Sequence, residues 1–66
     1  MQIFLNGDGA DYPDGLTAAQ LVDRLELRGK RIAMEVNGEI LPRSRYSEHT
    51  FNAGDRVEIV HAIGGG

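Results

Sequence analysis

The chain has few side chains that could act as catalytic groups or metal ligands on their own. Its only histidines are His49 and His61, and it contains no cysteine. A protein zinc site needs three or four such ligands, so two separate histidines do not predict a metal centre. Ser44 and Ser47 have no apparent base to activate them as nucleophiles. The sequence therefore predicts no catalytic constellation and no metal site within this chain.

The remaining chemical group is the carboxyl end, which reads AIGGG at residues 62–66. Glycine runs at chain ends are often frayed and without a role. The alternative is that Gly64, Gly65 and Gly66 form a thread without Cβ atoms that enters a narrow channel in a partner. Residues 63–66 span about 13–14 Å when extended. The Gly66 carboxylate would then be presented for activation, for instance as an acyl-adenylate.

Length and charge limit the classes of function. A 66-residue chain makes one small domain and buries only about 60% of its unfolded surface. An enclosed, water-free pocket would therefore have to lie in a partner. The net charge of −3 argues against nucleic-acid binding, which favours a basic patch. Without a basic leader or an apolar run of about 20 residues, a cytoplasmic protein with no membrane contact is expected.

Hydrophobic periodicity predicts strands on either side of one helix. Residues 1–6 alternate as a half-buried strand does, and a turn at residues 7–9 leads to a weak second strand near residues 10–12. Thr17 and Gln20 have the spacing of a capping box. The apolar stripe that follows predicts a helix of about a dozen residues, ending near Gly29.

The second half of the chain predicts the rest of a sheet. Residues 32–37 alternate again, and the dipeptide Asn37-Gly38 indicates a hairpin to a short strand at residues 39–41. A polar segment with one short helical turn precedes the final strand at residues 56–62. This order predicts an α+β fold, in which one helix packs on one face of a mixed four- or five-stranded sheet. The other face of the sheet is expected to be open.

Three stretches of the sequence resemble the bacterial sulfur carriers of the ThiS family, which have a ubiquitin-like β-grasp fold. MQIFLNG is similar to the first strand of that family, and VNGEILPRSRY, at residues 36–46, resembles its hairpin. AGDRVEIVHAIGGG, at residues 53–66, is similar to its closing strand and tail, with Gly64 as an extra glycine. The resemblance covers nearly the whole chain. It implies a domain at residues 1–62 and a flexible, extended tail at residues 63–66.

The function implied by this resemblance is sulfur transfer to the thiazole ring of thiamine. A ThiF-type adenylyltransferase would use ATP and Mg²⁺ to adenylate the Gly66 carboxylate. A sulfur-relay protein would convert the adenylate to a thiocarboxylate, and thiazole synthase would take the sulfur. The chain itself would be a cosubstrate and not an enzyme, would bind no cofactor, and would be monomeric when free.

Two alternative functions stay open. The small subunit of molybdopterin synthase shares the fold and tail, although those chains usually contain additional helical material. A ubiquitin-like interaction module would use its surface and not its tail, so it would tolerate loss of Gly65 and Gly66.

The strand alternation also predicts a docking surface for the partners. Phe4 and Val60 are apolar residues at positions that face away from the helix, and the first and last strands of a β-grasp sheet are neighbours. An interface desolvates apolar residues at its centre and keeps charged residues at its rim. The predicted surface consists of Phe4, Val60, Ala33, Ala62, Glu35 and Glu58.

Overall fold

A computed structural model describes residues 1–62. In chain order its elements are β1 (Gln2–Leu5), β2 (Asp8–Asp11), α1 (Ala18–Arg24), β3 (Ile32–Val36), β4 (Glu39–Leu41), a 3₁₀ turn (Arg43–Arg45) and β5 (Arg56–His61). The strands form one mixed sheet in the order β2-β1-β5-β3-β4. This confirms the predicted mixed sheet, which has five strands within the described part of the chain. The predicted tail, residues 63–66, lies outside the described residues, so the boundary after residue 62 stays a prediction.

Strand β5 occupies the centre of the sheet. It pairs in parallel with β1 and antiparallel with β3, which confirms that the first and last strands are neighbours. Val57 and Ile59 point inward from β5 and are buried. Among residues 1–62 the core contains eleven buried apolar residues, which come from the helix, the strands and the connecting loops. They are Ile3, Leu16, Ala18, Leu21, Val22, Ile32, Met34, Tyr46, Phe51, Val57 and Ile59.

Helix α1 begins at the predicted capping box but ends earlier than predicted. The Thr17 hydroxyl accepts a hydrogen bond from the Gln20 N–H (3.1 Å), and the Gln20 side chain accepts one from the Thr17 N–H (2.9 Å). The helix has only seven residues and is capped at Leu25. Leu25 and Leu27 both pack against the core, whereas residues two apart on a helix do not share a face. Glu26 adopts a φ of 58°, which turns the chain so that both leucines reach the core.

Both hairpins use an Asn-Gly turn. Asn6-Gly7 joins β1 to β2 and Asn37-Gly38 joins β3 to β4, with φ values of 49° and 88° in the first turn and 52° and 85° in the second. Positive φ at both central residues is typical of the type I′ turn, which matches the twist of paired strands. The prediction for Asn37-Gly38 is confirmed. The first turn was predicted one residue too late, and β2 therefore begins at Asp8.

The two turn asparagines also hold β5 in register. The Asn37 Oδ1 accepts a hydrogen bond from the backbone N–H of Arg56 at 2.9 Å. The Asn6 Oδ1 accepts one from the N–H of Ile59 at 2.9 Å, and its Nδ2 donates to the Ile59 carbonyl at 3.2 Å. Because β1 ends at Leu5, the Asn6 amide takes the place of a strand residue beside β5. Side chains from both hairpins therefore fix the strand that leads to the tail.

The Asn6 amide should contribute measurably to stability. Asn6→Gly keeps a residue that tolerates positive φ but removes both hydrogen bonds to Ile59, and should lower the free energy of unfolding by about 1–2 kcal/mol. Asn6→Ala removes the same two hydrogen bonds and leaves at positive φ a residue that tolerates this conformation less well than Asn or Gly, so it should cost about 1 kcal/mol more. Urea unfolding measures both variants. Loss of less than about 0.5 kcal/mol in Asn6→Ala would show that the amide does not hold β5.

Candidate functional site

The sheet face opposite the helix is open, as predicted. Along β5, Val57 and Ile59 are buried while Glu58 and Val60 are exposed. Val60 keeps 59% of its surface accessible. Phe4 is aligned with exposed Arg56 in the β1–β5 ladder, so it lies on the same open face. The predicted strand parity is therefore confirmed for both Phe4 and Val60.

The register corrects the predicted arrangement of this face. Val60 lies opposite Ala33, and Glu58 lies opposite Glu35. Phe4 is aligned with Arg56 on β5. Glu58 therefore lies between that position and Val60. The expected single apolar cluster is wrong: the two apolar residues occupy different rows of the face, with the two glutamates between them.

Phe4 also has a structural role that the sequence analysis missed. It lies opposite Gly9 of β2 and is only half exposed. A Cβ built on Gly9 would come within 3.2 Å of the Phe4 ring, so the ring covers the backbone of the neighbouring strand. Aromatic residues stabilise cross-strand glycines in this way. Substitution of Phe4 would therefore disturb the sheet as well as any docking.

Ile40 is an apolar residue of the open face that the sequence analysis did not include. It keeps 66% of its surface accessible and lies on β4 opposite Glu35. A two-residue hairpin loop places Glu39 opposite Val36 and hence Ile40 opposite Glu35. The Asn37-Gly38 turn therefore contained the signal that places Ile40 on this face.

Like charges lie directly opposite each other in the middle of the open face. Glu35 and Glu58 are cross-strand partners, an arrangement that destabilises a sheet. Among the described residues neither glutamate forms a salt bridge. The prediction that both acids lie at the rim is therefore wrong. A cation placed between the two carboxylates would relieve their repulsion.

The carboxyl end of the described chain remains attached to the sheet. The backbone N–H of Ala62 donates a hydrogen bond of 2.9 Å to the carbonyl of Arg31, the residue before β3. Ala62 itself is exposed. The base of the predicted thread is thus held one residue beyond β5. Gly64, Gly65 and Gly66 lie outside the described residues, so their threading and the modification of Gly66 stay predictions.

The histidines do not assemble a catalytic or metal site within the described part of the chain. The His49 ring packs edge-on against Phe51, with ring centroids 5.3 Å apart, and His61 is exposed. Within residues 1–62, no group of three His, Cys, Asp or Glu side chains is arranged to hold a metal ion. No helix of these residues is long and apolar enough to cross a membrane.

A five-stranded mixed sheet with one helix on one face, and with its last strand at the centre, defines a ubiquitin-like β-grasp protein. The ThiS family model matches residues 3–66. The crystal structure of the thiamine biosynthesis protein ThiS from Geobacter metallireducens superposes with a TM-score of 0.87, at 29% identity, with both chains covered in full. This chain belongs to the ThiS family.

Two relatives differ in how much of their length this chain covers. The sulfur carrier protein ThiS of Escherichia coli strain K12 is 30% identical over 66 residues, which is the full length of both chains. A thiazole synthase of Paramagnetospirillum magneticum is 36% identical over all 66 residues of this chain, which make up 20% of that protein. The chain therefore matches one relative as a whole protein and the other as a fifth of a larger one.

Val60 is the best single test of the docking face. Val60→Asp should weaken binding to a partner by about 2 kcal/mol, as loss of an interface hot spot does. Because the side chain is exposed, stability should fall by only about 1 kcal/mol, the span of strand propensities. Ile40→Asp is the matched control, since Ile40 is similarly exposed but lies on the edge strand away from Ala62. It should weaken binding less. Titration calorimetry that gives unchanged affinity for Val60→Asp would contradict this assignment.

Proposed function

We propose that this chain is a sulfur carrier whose Gly66 carboxylate is converted to a thiocarboxylate for thiazole formation in thiamine biosynthesis. The observation that carries the proposal is the ThiS family match, which runs from Ile3 through the last glycine. The full-length relative named sulfur carrier protein ThiS supports it. The geometry adds a physical reason, since a chain fixed at Ala62 by the sheet can present four further residues as a thread.

The proposed chemistry has two steps: AMP is transferred from ATP to the Gly66 carboxylate, and sulfur then replaces AMP at the carboxyl carbon. A Gly66 carboxylate oxygen attacks the α-phosphate of ATP, and pyrophosphate leaves. A hydrosulfide equivalent from the sulfur-relay protein then attacks the carbonyl carbon, AMP leaves, and a proton is released. The product carries a C–S bond in place of one C–O bond. Carboxylates resist nucleophiles until they are activated in this way, so the adenylate is needed before sulfur can enter.

The active site for these steps belongs to the partner in this proposal. A ThiF-type adenylyltransferase would supply ATP and Mg²⁺, and this chain would act as a cosubstrate, not as an enzyme. A glycine thread suits such a partner because it has no Cβ atoms to obstruct a narrow channel. The open face would contact the partner around the channel entrance. The cytoplasmic location remains a prediction.

Thiazole synthase is the acceptor that the comparisons favour over molybdopterin synthase. The thiazole synthase of P. magneticum contains a stretch similar to the whole of this chain. Joining a carrier to its acceptor raises their effective concentration and needs no new contact. That arrangement supports thiazole synthase as the protein that takes sulfur from the separate carrier.

Intact-mass spectrometry tests the proposal. After incubation with an adenylyltransferase of the ThiF type, ATP and a sulfur donor, the mass should rise by the difference between one sulfur and one oxygen atom. A variant with one residue added after Gly66 is the control. It should fold normally, because the core lies within residues 1–62, and should gain no sulfur. An unchanged mass of the original chain, with a partner shown to be active on another carrier, would contradict the proposal.

A further inference from the structure

A groove with apolar walls lies on the helix side of the sheet, opposite the open face. It is bounded by the end of α1, the start of β3 and the 3₁₀ turn, and its volume is about 230 Å³. Its apolar walls consist of Ala19, Val22, Leu27, Ile32 and Tyr46. We call this feature the helix-side groove. Nothing in the proposed sulfur transfer makes use of it.

Strand β5 leads directly to the helix-side groove. Ile32, in the wall of the groove, is the cross-strand partner of His61, so the groove begins about one strand spacing, or about 5 Å, from β5. Val57 and Ile59 face the helix, and side chains alternate along a strand. One more odd-numbered step in the same register would direct the side chain of residue 63 to the helix side. Ile63 itself lies outside the described residues.

The length of the chain beyond Ala62 suits this groove. The Ala62 N–H is fixed by a 2.9 Å hydrogen bond to the Arg31 carbonyl, so the remaining four residues start beside β3. Four residues span at most about 13–14 Å, and the three glycines alone span about 10 Å. The apolar Ile63 is therefore within reach of the apolar walls, and the Gly66 carboxylate is within reach of the polar lining.

Arg43 is the cation of the groove that suits a carboxylate. It lines the groove, and its Nη2 donates a 2.8 Å hydrogen bond to the Lys30 carbonyl, which holds the guanidinium beside the segment before β3. No salt bridge between described residues involves Arg43. Arg28 also lines the groove, but its Nη2 is already 2.6 Å from the Asp23 Oδ2. A guanidinium binds a carboxylate through charge-assisted hydrogen bonds.

We propose that the tail of this chain docks in the helix-side groove, with Ile63 against the apolar walls and the Gly66 carboxylate paired with Arg43. The proposal rests on the proposed function, because it takes the Gly66 carboxylate as the free end of the chain. Burial of one aliphatic side chain and ordering of a few backbone residues are opposing effects of similar size. Docked and free tails therefore exchange, and only the free tail can enter a partner's channel. The contact is a reversible autoinhibition of the carrier.

Nuclear magnetic resonance of the folded full-length chain tests the docking without a partner. Nuclear Overhauser effects are expected between the Ile63 methyl groups and the methyl groups of Val22 and Ile32. Ile63→Ser removes most of the apolar contact and should lower the ratio of docked to free tail about tenfold. Val60→Ser is the matched control, because it alters an exposed residue on the opposite face. It should leave the methyl shifts of Val22 and Ile32 unchanged.

Two further variants test the groove and its charge with Ile63 intact. Ala19→Leu fills the groove and should abolish the contacts of Ile63 with Ile32. Arg43→Gln should lower the docked ratio about twofold to threefold, as loss of one exposed ion pair does. Arg45→Gln, in the same 3₁₀ turn but outside the groove lining, should leave the ratio unchanged. Thermal unfolding checks that each variant is folded, and Ile63→Ser leaves the core of residues 1–62 untouched.

The outcomes separate tail docking from the proposed function. Ile63 shifts equal to those of an unstructured peptide, with no contacts to the groove, would overturn the docking. Contacts between differently labelled chains in a mixed sample would also overturn it, since a second copy would then occupy the groove. In the sulfur-transfer assay, Ala19→Leu should be adenylated about twofold faster at low carrier concentration, and an equal rate would show that docking does not withhold the tail. If the tail docks but the original chain gains no sulfur from an active partner, the proposed function is wrong and the docking stands.

Discussion

The position of β5 between β1 and β3 is the constraint on which the rest of the structure depends. This strand pairs with both neighbours and supplies Val57 and Ile59 to the core. Its register is also fixed by two turn asparagines, Asn37 at Arg56 and Asn6 at Ile59. A slip of one residue would exchange the buried and exposed faces of β5. It would also move Ala62, at the base of the predicted tail, relative to the open face.

In the proposed carrier function, partners recognise surfaces around a terminal sequence that has no side chains after Ile63. Glycine cannot supply specificity through a side chain, so under that proposal discrimination between partners depends on surfaces near the end of β5. The open face offers exposed Val60 and Ile40 beside the opposed pair Glu35 and Glu58. Such a pair destabilises the free domain and favours a complex that separates or neutralises the charges.

The elements that sequence predicted well are those with local signals. The Thr17–Gln20 capping box, the Asn37-Gly38 turn and the alternation of β5 each depend on residues close in the chain, and each is present in the structure. The order of the predicted elements and the family resemblance gave the α+β class. They also gave the pairing of the first strand with the last. The architecture of the domain could therefore be predicted from the sequence, because local propensities and the global fold agree.

The features that sequence did not predict depend on cross-strand register or on tertiary contacts. The helix is short because Leu25 and Leu27 both reach the core, which local helix propensity cannot indicate. Phe4 and Val60 lie at different levels of the open face, with Glu35 and Glu58 between them. This arrangement depends on how β1, β5 and β3 pair. The position of the Phe4 ring over Gly9 depends on the register of the first hairpin. That register follows from a turn at Asn6-Gly7, whereas the sequence analysis placed the turn at residues 7–9.

Transfer of labelled sulfur tests the central claim most directly, because it bypasses the adenylating partner. The chain would be prepared chemically as its Gly66 thiocarboxylate with a heavy sulfur isotope and mixed with thiazole synthase and its other substrates. The account predicts that the thiazole product carries the heavy isotope and that the chain returns to its carboxylate mass. Retention of the label by the chain, with thiazole synthase accepting sulfur from an authentic ThiS carrier in parallel, would contradict it.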